Sequence, residues 1–239
     1  MAYVLSGVYM LNLIAHRGNN NHDYPENSLP AFLSSLKEDY IQGIELDVRL
    51  TKDKKIVVIH DYTINRTSNG SGIVKNMTLK ELKKYKFGNK HYTYTIMTLD
   101  EVLKKIRSPK LIIIEIKHEM GNIKELVKKV MKVVKKYKHL NIFLTGFSEK
   151  LTKYIKKNYP NYKTGRVFLI VGKNISFDDN YDAYFIRHNF FKKYKTKKPL
   201  FFWTINNPSF FDNKKRLIED NMYFITDKAY LLKNVKLSR

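Results

Sequence analysis

Short continuous apolar runs alternate with longer stretches whose apolar residues recur every three or four positions, almost to the end of the chain. The short runs read as buried strands, and the three-to-four spacing as amphipathic helices lying against them. Strands are expected at 11–15, 43–50, 111–116, 141–146, 164–170, 183–187, 200–205 and 223–226. A helix is expected at 27–39, with Leu29, Phe32, Leu33 and Leu36 on one face and Pro30 in a first turn that tolerates it. Another starts at Thr98, where Glu101 completes a capping box. At 123–137, Leu126, Val127, Val130, Val133, Val134 and Tyr137 share one side opposite a lysine stripe. Further helices are expected at 149–158 and 208–220. Strand then helix, repeated eight times, is the pattern of an α/β (β/α)8 TIM barrel. The barrel should be somewhat irregular, because 171–182 is poorly helical and the unit after the sixth strand is short.

Two stretches break the alternation. Residues 56–60 follow the second strand after Thr51-Lys52-Asp53-Lys54-Lys55, which reads as a hairpin. A two-residue turn at Asp53-Lys54 would set Asp47 opposite His60, and cross-strand partners lie within about 5.5 Å on one face. A register slip of one residue would turn His60 to the other face. Residues 61–96 contain Thr67-Ser68-Asn69-Gly70-Ser71-Gly72 and a short helix near 79–86, and read as a small inserted subdomain or lid after strand two. The expected organisation is one barrel domain over 1–239 with 61–96 inserted in it.

Length and composition agree with this picture. A chain of 239 residues with 43% hydrophobic and 13% aromatic residues can bury the core of one barrel. It has no cysteine, which excludes disulfides and thiolate metal sites. No apolar run reaches the roughly 20 residues of a membrane span. The mildly apolar start lacks a basic region and a cleavage site, and reads as a short extension before the first strand, so a cytoplasmic protein is expected. The net charge of +23 comes from lysines spread opposite apolar faces, the pattern of a solvated shell. That shell suits attraction of a phosphate-bearing substrate and peripheral contact with an anionic membrane; no nucleic-acid partner is expected, and oligomeric state is left open.

Barrel enzymes work at the carboxyl ends of their strands. There the first strand offers His16 and Arg17, the second Glu45 and Asp47, the third Glu115 and Lys117, the seventh Trp203, Thr204 and Asn206, and the eighth Thr226 and Asp227. Inward positions of a barrel ordinarily carry Val, Ile and Leu, and three acids among them repel one another unless a cation joins them. Glu45, Asp47 and Glu115 therefore form a candidate hard-cation site, and all-oxygen ligands favour Mg²⁺, Ca²⁺ or Mn²⁺. With Arg17 and Lys117 beside it, such a site would receive a phosphate group. His16 and His60 add two groups that exchange protons near neutral pH. The chemistry that results is metal-assisted phosphoester hydrolysis. Each motif alone has an ordinary structural reading; the weight lies in their meeting on one rim. His22, His91, His118, His139 and His188 are read as structural or surface residues.

These residues also carry a resemblance. His16-Arg17-Gly18, Pro25-Glu26-Asn27-Ser28, Glu45-Leu46-Asp47-Val48 with Thr51-Lys52-Asp53, and Val58-Ile59-His60-Asp61 stand in order. Arg66-Thr67 with Asn69-Gly70, the Thr98–Leu103 stretch, Glu115-Ile116-Lys117, Trp203-Thr204-Ile205-Asn206 and Ile225-Thr226-Asp227 follow. The ordered set, spanning about 13–233, resembles the glycerophosphodiester phosphodiesterase family. The resemblance implies a (β/α)8 barrel with an insertion after strand two, and hydrolysis of glycerophosphodiesters to sn-glycerol 3-phosphate and an alcohol. By position it implies His16 and His60 as the acid/base pair, Arg17 as the phosphate holder, and Glu45, Asp47 and Glu115 as ligands of a divalent cation, Mg²⁺ or Ca²⁺. Lys117 would contact the phosphate or the metal-bound oxygen, Glu26 would orient Arg17 or reach the metal, and Trp203 would line the glycerol pocket. In the implied mechanism a glycerol hydroxyl attacks phosphorus and water opens the cyclic phosphate. Lys228-Ala229 departs from the Arg-Pro frequent in the family after the last Thr-Asp. Two alternatives remain: lysophospholipase D activity on the same fold, and a catalytically degenerate basic barrel that binds anionic membrane or nucleic acid.

Overall fold

A computed structural model describes residues 4–5, 8–19, 23–118, 121–171, 177 and 180–237. His22 and most of 171–182 lie outside them. Eight apolar segments form parallel strands: β1 (Asn12–Ala15), β2 (Ile41–Leu50), β3 (Leu111–Ile116), β4 (Asn141–Thr145), β5 (Lys163–Phe168), β6 (Ala183–Arg187), β7 (Leu200–Trp203) and β8 (Met222–Thr226). Each pairs with the next, and β8 pairs with β1, so the barrel is closed. Most of these strands read as nearly unbroken apolar runs because both faces are covered, whereas β5 carries Lys163, Thr164 and Arg166.

Strand alternation divides the interior into two layers. One set of side chains fills the lumen: Ile14, Leu111, Ile113, Phe143, Ala183, Phe185, Phe201 and Ile225. The opposite set, including Leu13, Ile44, Leu46, Ile112, Ile114, Leu144, Tyr184, Phe202 and Phe224, packs outward against the helices. Gly165 shows how tightly the lumen is filled: a Cβ there would meet the Phe185 ring at 2.2 Å. Along β2 and β3 the lumen positions run Gly43, Glu45, Asp47 and Leu111, Ile113, Glu115, with Asp47 beside Glu115 in register. The lower lumen is thus apolar and its upper end acidic.

The barrel's helices are α1 (Leu29–Lys37), α2 (Leu99–Leu103), α3 (Ile123–Val134), α4 (Glu149–Asn158) and α5 (Ala229–Leu232), and the insertion carries a further single turn of helix, Leu79–Leu82. Ser28 caps α1, and Thr98 with Glu101 forms the expected box at α2. On α3, Leu126, Val127, Val130, Met131 and Val134 are buried, each worth about 1.5–3 kcal/mol relative to exposure. The later half is less regular. Between β6 and β7 there is only a 3₁₀ turn, His188–Phe190. The helix expected at 208–220 is instead two 3₁₀ turns, Pro208–Phe211 and Lys215–Leu217. Phe211 inserts against Phe224, ring centroids 5.0 Å apart. Asp212 and Asn213, which favour turns over helix interiors, follow immediately.

Residues Ile56–Val58 return antiparallel along β2. The register differs from the expected one: Val48 faces Val58, so Asp47 lies across from Ile59, not His60. The turn holds three residues, because Lys54 adopts a left-handed backbone at φ 62° and Thr51 pairs with Lys55. A turn followed by a left-handed residue is the usual three-residue hairpin connection. Beyond it, residues of 61–96 build a small core of their own on the arm, in which Val57, Ile59, Ile64, Val74, Leu82, Phe87 and Ile96 are buried together. At the other end of the chain order, Val4–Leu5, Val8–Met10 and Lys236–Leu237 form a separate three-stranded antiparallel sheet. Among the described residues no helix is long and apolar enough to cross a membrane.

Candidate active site

The chain leaves β1 through a tight turn, His16–Gly18, in which Arg17 has φ 54° and Gly18 φ 76°. Gly18 is required twice over, by its left-handed backbone and because a Cβ would meet the Phe32 ring at 2.6 Å. The turn aims the main-chain N–H of Arg17 at Glu45 Oε2, at 3.0 Å. It also sends the guanidinium across the top of the lumen, where Nη1 donates to Glu26 Oε1 at 2.9 Å and Nε lies 3.5 Å from Asp47 Oδ2. A strained non-glycine residue at such a place is characteristic of functional sites.

Glu45, Asp47 and Glu115 each offer an oxygen within 4.8 Å of the others. Asn27 grips Asp47, donating from Nδ2 to Oδ2 at 2.9 Å and accepting from the Asp47 main-chain N–H at 3.0 Å. Lys117 Nζ lies 3.0 Å from Asp47 Oδ1 and 2.5 Å from Glu115 Oε1. Burial, with the Asp47 charge next, pushes Glu45 up to about 8. Burial and Asp47 also raise Glu115. Burial opposes ionisation of Asp47 too, but Lys117, His60 and Arg17 outweigh it and hold that carboxyl below its usual range. Glu45 Oε1 is buried without a hydrogen-bond donor. Three converging carboxylates, one with an unsatisfied oxygen and a proton affinity raised far above normal, fit a hard divalent cation, which would replace that proton and fill that oxygen's coordination.

Two histidines face this cluster, each oriented by an aspartate. His16 Nδ1 pairs with Asp227 Oδ1 at 2.7 Å, leaving Nε2 3.9 Å from Glu45 Oε2. Asn206 donates to Asp227 Oδ2 at 2.8 Å and accepts from the Asp227 main-chain N–H and the Thr226 hydroxyl. His60 Nδ1 pairs with Asp61 Oδ1 at 2.7 Å. A carboxylate at Nδ1 keeps a proton on that nitrogen and frees Nε2 for chemistry. Burial disfavours the charged form of His16, but the Asp227 hydrogen bond and the Glu45 charge prevail and its pKa is raised. For His60 burial prevails over the Asp47 charge and the pKa is lowered.

A cavity of about 130 Å³ opens over these groups. His16, Arg17, Glu45, His60, Glu115 and Lys117 form its polar side, and Ile113, Val167, Phe185, Ile225, Phe147 and Trp203 its apolar side. Phe147 and Trp203 meet edge to face at 5.5 Å, and Lys117 Nζ lies 5.5 Å over the Phe147 ring. A larger cavity of about 270 Å³ lies beside the hairpin turn and the start of α3. It shares only Lys117 with the first and does not reach the two histidines or the acidic triad.

The structure thus gathers His16, Arg17, Glu26, Glu45, Asp47, His60, Glu115, Lys117 and Trp203 at one end of the barrel. His60 reaches the cavity although the register is not the expected one, because the chain leaves the ladder after Val58. There Arg49 Nε donates to the His60 carbonyl at 2.7 Å. The aspartates behind the histidines carried no assigned role in the sequence reading. Asp61 is adjacent to its histidine in the chain, which is a usable signal. Asp227 meets His16 only because β8 closes onto β1.

Comparison with known proteins bears on the family and the fold. Residues 16–229 match the model of the glycerophosphoryl diester phosphodiesterase family. A glycerophosphodiester phosphodiesterase of Caldanaerobacter subterraneus subsp. tengcongensis is 39% identical over 162 residues, 65% of this chain and 66% of that protein. A Bacillus altitudinis glycerophosphodiester phosphodiesterase is 39% identical over 134 residues, 54% of each chain. The matched stretches thus span between about half and two thirds of these relatives. In fold, an Oleispira antarctica phosphodiesterase solved with the product sn-glycerol-3-phosphate superposes with a TM-score of 0.80 at 21% identity, covering 95% of both chains. A Thermotoga maritima glycerophosphodiester phosphodiesterase superposes with a TM-score of 0.69 at 26% identity, covering 92% of this chain and 96% of that one. With a family match running from His16, just after β1, to Ala229 at the start of α5, and the barrel shared throughout, the chain belongs to the glycerophosphoryl diester phosphodiesterase family.

Proposed function

We propose that the protein hydrolyses glycerophosphodiesters to sn-glycerol 3-phosphate and an alcohol. The observation that carries this reading is the pair of aspartate-oriented histidines facing a three-carboxylate cluster flanked by Arg17 and Lys117. Family relatives that are glycerophosphodiester phosphodiesterases support it.

Glu45, Asp47 and Glu115 would hold a divalent cation, Mg²⁺ or Ca²⁺, which supplies positive charge against the phosphate oxygens. Arg17 and Lys117 bind the remaining phosphate charge; a guanidinium held by Glu26 presents its other N–H groups without further ordering. The apolar side of the cavity, with Trp203, receives the glycerol carbons. His60, whose lowered pKa keeps Nε2 unprotonated, takes the proton of the glycerol hydroxyl adjacent to the phosphoester. That oxygen bonds to phosphorus, the bond from phosphorus to the alcohol oxygen breaks, and His16 gives its Nε2 proton to the departing alcohol. In the second half the roles reverse. His16 takes a proton from water, the water oxygen bonds to phosphorus, and His60 returns its proton to the glycerol oxygen as the ring opens. Both histidines end as they began.

The test is a coupled sn-glycerol 3-phosphate assay on glycerophosphocholine and glycerophosphoethanolamine with Mg²⁺ or Ca²⁺, alongside choline release from lysophosphatidylcholine. Turnover of the water-soluble diesters that chelation abolishes is expected. Full activity in EDTA would remove the cation from the reaction, and exclusive turnover of the lysolipid would reassign the substrate.

A further inference from the structure

Arg66 lies in the inserted stretch, outside the cavity, and reaches two carboxylates at once. Its Nε and Nη2 donate to Asp61 Oδ2 and Oδ1 at 2.6 and 2.9 Å. Its Nη1 and Nη2 donate to Glu26 Oε2 and Oε1 at 2.8 and 2.7 Å. Asp61 orients His60, and Glu26 orients Arg17. One guanidinium therefore stands between the partner of a proton-transfer group and the partner of a phosphate-binding group. A second contact from the same insertion secures Glu26 by its main chain, where the Tyr94 hydroxyl donates to the carbonyl at 3.2 Å.

We propose that Arg66 is a positioning residue that couples the two arms of the active site, and that the insertion acts as the buttress carrying it. This rests on the diesterase reading above. The Arg66 side chain is 50% exposed, so its ion pairs add little to fold stability. What it supplies is geometry. A planar fork that engages two carboxylates bidentately sets both their planes. Asp61 then holds the His60 ring in one orientation, and Glu26 holds Arg17 across the lumen. A lysine retains the charge but has no fork to span the two.

Kinetics on glycerophosphocholine test the coupling. Arg66→Ala should lower kcat/KM about ten- to a hundredfold, the usual cost of losing an orienting partner, through a lower kcat and a higher KM together. Asp61→Asn should reproduce the kcat part and Glu26→Gln the KM part. Arg66→Ala should add only the missing part to each of those single variants. Arg66→Lys should restore little. Lys83→Ala breaks a different link from the insertion to the barrel, the 2.7 Å contact with Glu101 on α2, and should leave both constants unchanged. Wild-type kcat and KM in a folded Arg66→Ala protein would overturn the proposal. Equal losses in Lys83→Ala would also do so, by showing that anchoring of the insertion alone matters. Calorimetric affinity for sn-glycerol 3-phosphate gives a readout that needs no turnover. It should weaken in Arg66→Ala and Glu26→Gln but hold in Asp61→Asn. Affinity unchanged in Arg66→Ala would sink the coupling even if the wild-type protein turned over none of the diesters tried.

Discussion

At the scale of single residues, the site rests on pairs in which one group fixes another. His16 and His60 each depend on an aspartate at Nδ1, and Arg17 on Glu26. Replacing either histidine by alanine should lower kcat about 10²–10⁴-fold, the range for a general acid or base, and steady-state kinetics on a soluble diester would show it. An unaffected rate would remove that histidine from the mechanism. The acidic cluster makes a different prediction, on stability. Burial and the Asp47 charge push Glu45 up to about 8 in the folded protein, against an ordinary value of about 4.3 in an unfolded chain. Between those values the folded metal-free protein holds a proton that the unfolded chain has lost. Stability from this group is therefore full at the acidic end and declines as pH rises through about 8. Asp47 has the opposite sign: held low by Lys117, His60 and Arg17 against burial, it contributes stability above the ordinary carboxylate range and withdraws it as pH falls from that range down through its lowered folded value. The melting temperature of EDTA-treated protein should accordingly fall from pH 5.5 to pH 8.5, and added Mg²⁺ or Ca²⁺ should raise it more at the higher pH. Glu45→Gln should flatten the trend. A cation effect independent of pH would argue against Glu45 as a ligand.

At the scale of elements, legibility followed the range of the interaction. Glu45, Asp47 and Glu115 could be placed on the lumen side from sequence because strand alternation is a local rule, and Lys117 follows by the same count. Thr98 and Glu101 announced their helix for the same reason. The hairpin register was not legible, because it turns on whether Lys54 adopts φ 62°, and lysine carries no composition signal for a left-handed backbone. The segment at 208–220 has helical spacing but follows the packing of Phe211, in a 3₁₀ turn, on Phe224 of β8, a tertiary contact that spacing does not report. Asp227 behind His16 likewise required closure of β8 on β1. Lys54 gives a test at this scale. A β-carbon in the left-handed region costs roughly 1 kcal/mol, and the exposed Lys54–Glu125 pair at 3.0 Å returns little of it. Lys54→Gly should raise stability by up to about 1 kcal/mol, read as a higher urea midpoint with an unchanged slope. Lys54→Val should lower it. The opposite order would mean that the turn is not the three-residue form.

At the scale of the whole molecule, a net charge of +23 surrounds a site that itself gathers anions. Among the described lysines only Lys117 lines the cavity, so the influence of the others on a substrate is through the summed field rather than contact. Such a field speeds encounter with anions and fades with ionic strength, since the screening length shrinks from about 30 Å at 0.01 M to about 10 Å at 0.1 M. Arg17 and Lys117, half-enclosed and beside the phosphate in the proposed reading, would be screened far less. These two contributions separate by substrate. Glycerophosphocholine has no net charge, whereas glycerophosphoglycerol carries one negative charge, and both present the same phosphodiester to the site. Raising salt over that range should lower kcat/KM for glycerophosphoglycerol several-fold while leaving its kcat in place, and should change glycerophosphocholine much less. Equal salt dependence for the two substrates would place the effect in the contact residues. A fall in kcat for both would place it in the cation site. A fall confined to kcat/KM of the charged diester would assign the lysine shell a part in delivering substrate, which neither the barrel nor its catalytic groups require of it.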